Sequence, residues 1–103
     1  MKKYIKFDIQ IDPYSQSIVK GVQQALDIHH STASFLVEQF ADTVEGCTSE
    51  QEAINLITRD AYEWVEECMQ MPVGYLNRKY GGDFCEELQD AALDFGIKGH
   101  LRW

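Results

Sequence analysis

Residues 3–11 read Lys3-Tyr4-Ile5-Lys6-Phe7-Asp8-Ile9-Gln10-Ile11. Ile5, Phe7, Ile9 and Ile11 alternate with Lys6, Asp8 and Gln10, a period of two that predicts a half-buried β-strand. Asp12-Pro13 closes it, because proline lacks the N–H a ladder needs and its fixed φ suits the first turn of a helix. The remainder of the chain reads mainly as helix, so this stretch decides the class. It favours an α+β fold, mainly α, with an N-terminal strand followed by about four helices in a single domain over 1–103. One strand leaves its backbone groups unpaired. Its partner is expected to be residues 73–80, the tail 97–103, or the same strand of a second copy in a homodimer.

Beyond Pro13, a helix is expected over 14–28, with Ile18, Val22, Ala25 and Leu26 on one face and Val19 at its edge. A second is expected over 30–45, capped by Ser31, with Phe35, Leu36, Phe40 and Val44 inward and Gly46 as a left-handed stop. Ser49 and Glu52 have capping-box spacing ahead of the longest helix, 50–71, whose stripe is Ala53, Ile54, Ile57, Ala61, Trp64, Val65 and Cys68. Pro72 closes that helix. Residues 73–82 fit a loop, a short helix or a short strand. Asp83 is expected to cap a last helix over 84–95 that Gly96 stops. The expected core is Ile5, Phe7, Ile9, Val22, Leu26, Phe35, Leu36, Phe40, Ile54, Ile57, Trp64, Val65, Leu88 and Phe95, since only a common core buries all these faces at once.

The 103 residues carry a formal net charge of −8, and the placement is uneven. Residues 1–37 hold four lysines against three aspartates, while residues 38–94 hold 14 acids against Arg59, Arg78 and Lys79. Within the long helix Asp60, Glu63 and Glu67 follow same-face spacing with Glu66 adjacent, and in the last helix Glu86, Asp90 and Asp94 do the same. Like charges so spaced repel, at a few tenths of a kcal/mol per pair. These seven acids are the expected partner-binding residues, and their field attracts basic surfaces and repels phosphate. Tyr75, Arg78, Lys79 and Trp103 form a secondary candidate surface, since aromatic and arginine side chains are enriched at interfaces.

Residues 22–37, VQQALDIHHSTASFLV, resemble a helix-turn-helix, in which a short turn sets a recognition helix into the DNA major groove. Leu26, Ile28, Ala33 and Leu36 occupy the apolar positions of that motif. Asp27 stands where the turn has glycine, and Gln23 where the first helix has a small residue. The would-be recognition helix carries Glu38, Asp42 and Glu45 with no lysine or arginine. The resemblance implies a DNA-binding regulator centred on residues 19–45, with Lys2, Lys3, Lys6 and Lys20 left to neutralise phosphate.

Cys47, Cys68 and Cys85 make an odd count with no C-x-x-C spacing, and the alternating N-terminal stretch is not expected to be a secretory signal; free thiols in the cytoplasm are expected. The adjacent pair His29-His30 and the isolated His100 offer no zinc-ligand spacing. No phosphate-binding glycine loop or nucleophile relay is present. No metal, cofactor or catalytic residue is therefore expected. The reading is a non-enzymatic interaction or inhibitor protein whose acidic helical face, imitating nucleic acid, binds a basic protein surface, with no direct nucleic-acid or membrane contact. The charge logic is that of small phage-type host-defence inhibitors, antitoxins and immunity proteins, an analogy of size and charge. The alternative is the helix-turn-helix regulator.

Overall fold

The computed structural model describes residues 16–99 and Leu101. Among them every regular element is a helix: α1 (Gln16–Leu26), α2 (His30–Gln39), α3 (Ala41–Glu45), α4 (Glu50–Met69), α5 (Val73–Tyr80) and α6 (Phe84–Asp94). The described residues are all-helical, which corrects the α+β expectation. Residues 73–80, a candidate strand, form α5, and the tail positions 97–99 and Leu101 are irregular. The reason is visible in α5. Pro72 sits at its N-cap in extended backbone (φ −63°, ψ 139°), and Leu76, one turn on, is completely buried. The expected strand at 3–11, with core candidates Ile5, Phe7 and Ile9, lies outside the described residues, as does Trp103.

The chain divides into two compact units, Met1–Arg59 and Asp60–Trp103, and α4 gives its first half to one and its second half to the other. In the first unit α1 packs on α2. Ile18, Val19 and Val22 supply one side, and Ala33, Phe35, Leu36 and Val37 the other. The α1 stripe is rotated from expectation: Val19 is buried, Leu26 half-buried and Ala25 exposed. Gly21 faces Ile54 so closely that a β-carbon there would collide with the isoleucine side chain. The predicted helix 30–45 is broken at Phe40 (φ −100°, ψ 17°) into α2 and α3.

Caps also differ from expectation. His29, not Ser31, is the N-cap of α2. Gly46 stays in the right-handed region at φ −86°. Asp83 makes no side-chain capping bond to α6. At α4 the Glu52 N–H donates to Ser49 Oγ (3.1 Å), but the Glu52 carboxylate accepts from the Thr48 N–H (2.7 Å) and hydroxyl (2.9 Å). Those two bonds hold the Glu52 carboxyl below the usual glutamate range.

In the second unit α5 packs on α6. Ala61, Val65 and Cys68 of α4, Leu76 of α5, and Phe84, Cys85, Leu88, Ala91 and Ala92 of α6 are buried. Tyr80 stacks on Phe84 with centroids 4.0 Å apart, and Trp64 meets the same ring edge-on at 6.0 Å. Trp64 is only half-buried, as are the expected core residues Leu26, Phe40, Ile54 and Phe95. Gly96 does stop α6. At φ +76° it turns the chain so that its own N–H reaches the Leu93 carbonyl (3.0 Å) and the Ile97 N–H reaches the Ala92 carbonyl (2.9 Å).

Candidate functional site

The acidic residues divide by burial. On α4, Glu63, Glu66 and Glu67 are exposed on the side away from Ala61, Val65 and Cys68. On α6, Glu86 and Asp90 are exposed away from Leu88, Ala91 and Ala92, and Leu93 continues their face at 57% exposure. Asp60 and Asp94 are half-buried, and each already interacts with another group. The two sets stand on separate helices, α4 and α6.

Tyr75, Arg78 and Lys79 share the exposed side of α5. Lys79 Nζ lies 5.7 Å from the Tyr75 ring centroid and 5.3 Å from that of Tyr80, within the range of cation–π attraction. Hydrogen bonding to Tyr75, and then the influence of Tyr80, hold the Lys79 ammonium above the ordinary lysine range. That surface is therefore one cation clasped by two rings, with Arg78 beside it.

A cleft of about 470 Å³ went unread in the sequence. One wall is the second half of α4, with Tyr62, Glu66 and Gln70 on successive turns. The other is the chain just past α6, from Gly96 to Gly99, with Lys98 between. Tyr62 is 46% exposed and braced by an edge-to-face contact with Phe95 (5.9 Å, 83°). Gln89 of α6 secures the far wall: its Nε2 donates to the Gly99 carbonyl (3.4 Å) and its Oε1 accepts from the Leu101 N–H (2.8 Å). The 62, 66, 70 spacing was available as a signal, but a wall made by an irregular segment has no period to announce it.

The turn of the helix-turn-helix resemblance has a definite geometry. Asp27 adopts φ +55° and the Ile28 N–H reaches back to the Gln23 carbonyl (3.2 Å). The aspartate thus takes the left-handed conformation usual for glycine. Ile28, Ala33 and Leu36 are buried, while His29, His30 and Ser31 are exposed.

The three thiols are free and buried. Burial pushes Cys68 up to about 11, with Glu67 adding to the effect and Lys79 opposing it. Burial also raises Cys47 and Cys85, and Glu52 adds to the shift at Cys47. Cys47 Sγ donates to the Thr43 carbonyl (3.3 Å) and Cys85 Sγ to Asn77 Oδ1 (3.4 Å). Thiols held protonated are poor nucleophiles. No three His, Cys, Asp or Glu side chains among the described residues converge as metal ligands, and no described helix is long and apolar enough to cross a membrane. No protein-family model, curated protein or solved structure matches the chain.

Proposed function

We propose that this chain is a non-enzymatic binding module of the cytoplasm whose exposed carboxylates in the unit 60–103 engage a basic protein surface, as an inhibitor that imitates nucleic acid does. The observation that carries this reading is the exposure of Glu63, Glu66, Glu67, Glu86 and Asp90 opposite the buried faces of their helices. The field they produce steers cationic partners and is screened by salt. The test is a titration with a short arginine-rich peptide and, separately, with duplex DNA. The peptide binds with an affinity that falls as salt rises, and the duplex does not bind appreciably at physiological salt. Micromolar duplex binding with a steep salt slope, and no peptide binding, would overturn the reading.

One observation favours the second reading, a helix-turn-helix DNA-binding regulator: the left-handed turn at Asp27 between two packed helices. The break at Phe40 also moves Asp42 and Glu45 onto α3, leaving Glu38 as the one acid of α2. Against it, α2 carries no lysine or arginine, and phosphate neutralisation supplies most non-specific DNA affinity. If duplex binding does occur, Ser31→Ala should weaken it.

A further inference from the structure

Between α4 and the segment after α6, the cleft joins an exposed aromatic ring to a carboxylate on one helical wall. Tyr62 and Glu66 are four residues apart on α4, so their side chains stand one above the other, with Gln70 one turn further on. The Phe95 ring meets Tyr62 in an edge-to-face contact. A ring face next to a carboxylate is an arrangement that captures cations, the ring through its quadrupole and the carboxylate through charge-assisted hydrogen bonds. The chain already uses the aromatic half of this chemistry on α5, where Lys79 lies over two tyrosine rings.

We propose that the cleft takes up an arginine side chain of a polypeptide partner, with the guanidinium on Glu66 and its plane across Tyr62. This rests on the reading that the partner presents a basic protein surface. Arginine fits better than lysine for two reasons. Its planar guanidinium stacks on a ring and offers paired donors to a carboxylate, and it is less strongly hydrated than an ammonium. The open cleft, about 470 Å³, has room for a side chain, and Met69 supplies an apolar lining for the arginine stem. Lys98 sets the specificity. Its place on the opposite wall, beside the two bonds that tie Gln89 to Gly99 and Leu101, repels an isolated cation and favours an arginine that has an acidic neighbour in the partner chain.

The experiment is a titration of the full chain with N-acetyl-arginine amide, read by the amide NMR shifts of Gly96, Lys98 and Gly99. Saturable shifts are expected there, larger than those at Glu86 and Asp90, and N-acetyl-lysine amide should bind more weakly. Glu66→Gln should weaken the arginine affinity by about tenfold. Lys98→Gln should tighten it by about two- to threefold, the loss of one screened repulsion. Tyr62→Leu should weaken it, and the exposed Glu66 variant keeps the test valid if the tyrosine variant unfolds. Absence of saturable shifts, equal shifts along α6, or preference for N-acetyl-glutamate amide would each overturn the proposal. Failure here leaves the wider reading standing if the arginine-rich peptide still binds through Glu63, Glu67 and Glu86. Arginine capture in the cleft without peptide binding to those residues would sink the wider reading and keep this one.

Discussion

Two helix ends in this molecule use the same hydrogen bond and lead to different outcomes. At the end of α1, Asp27 turns left-handed, the Ile28 N–H closes on Gln23, and three residues later the chain is helical again in α2. At the end of α6, Gly96 turns left-handed, the Ile97 N–H closes on Ala92, and residues 97–99 have no regular structure. In both, the residue after the turn is a buried isoleucine. The difference lies in the residues beyond that isoleucine. In the first unit His30–Gln39 supplies a new apolar face, Ala33, Leu36 and Val37, that covers α1. In the second, Lys98 and Gly99 are exposed and form a wall of the cleft. A helix stop is thus a device for packing or for opening a surface, depending on whether the next residues have an apolar stripe.

The largest effects should come from the packed interiors. Leu88→Ala, at a fully buried site, should cost about 2–5 kcal/mol. Trp64→Ala should cost less despite the larger ring, because Trp64 is half-exposed. Denaturant midpoints check the order, and an equal or larger loss at Trp64 would put it in the core. The turns themselves come next. Gly96→Ala should destabilise by about 1–2 kcal/mol, because a β-carbon is strained in left-handed backbone. Asp27→Gly should stabilise by up to about 1 kcal/mol by relieving that same strain. If both changes shift the melting point in the same direction, the two turns are not equivalent. The smallest effects lie at the start of α4. Ser49→Ala should cost about 1 kcal/mol as a lost cap. Because the folded-state pKa of Glu52 is lowered, its contribution is present above the ordinary glutamate range and is lost as pH falls through the lowered value. Glu52→Gln should remove that part of the acid dependence, as read from melting points across the acid range.

Much of the helical content could be read from spacing. The stripes Ala53, Ile57, Ala61, Val65 and Cys68 of α4, and Leu88 and Ala92 of α6, are where the 3.6 period puts them. Residues 73–80 are ambiguous in sequence because so short a segment holds a single fully buried anchor, Leu76. The break at Phe40 has no glycine or proline to mark it, and its aromatic ring fits the expected stripe. Burial of Asp60 and Asp94 and their engagement with other groups could not be read either, since spacing orders residues around a helix but does not say where neighbours end. The cleft escaped for a related reason: Glu66 and Lys98 line opposite walls of it, brought there by tertiary structure from positions 32 apart in sequence.

If the carboxylates of the second unit carry binding, as proposed, the two units offer a matched control. Glu63, Glu67 and Glu86 reversed to lysine change the charge by as much as Glu38, Asp42 and Glu45 reversed to lysine, and all six are exposed. The measurement is the association rate with the arginine-rich peptide at low and high salt, alongside a melting curve for each variant. Reversal of the first set should slow association by on the order of tenfold at low salt, with an unchanged or slightly raised melting point as like-charge repulsion is relieved. Reversal of the second set should change the rate far less. Equal slowing by both sets would mean that net charge alone is being read, and no slowing by the first set would reduce its stripes to solvated surface; either result contradicts the claim.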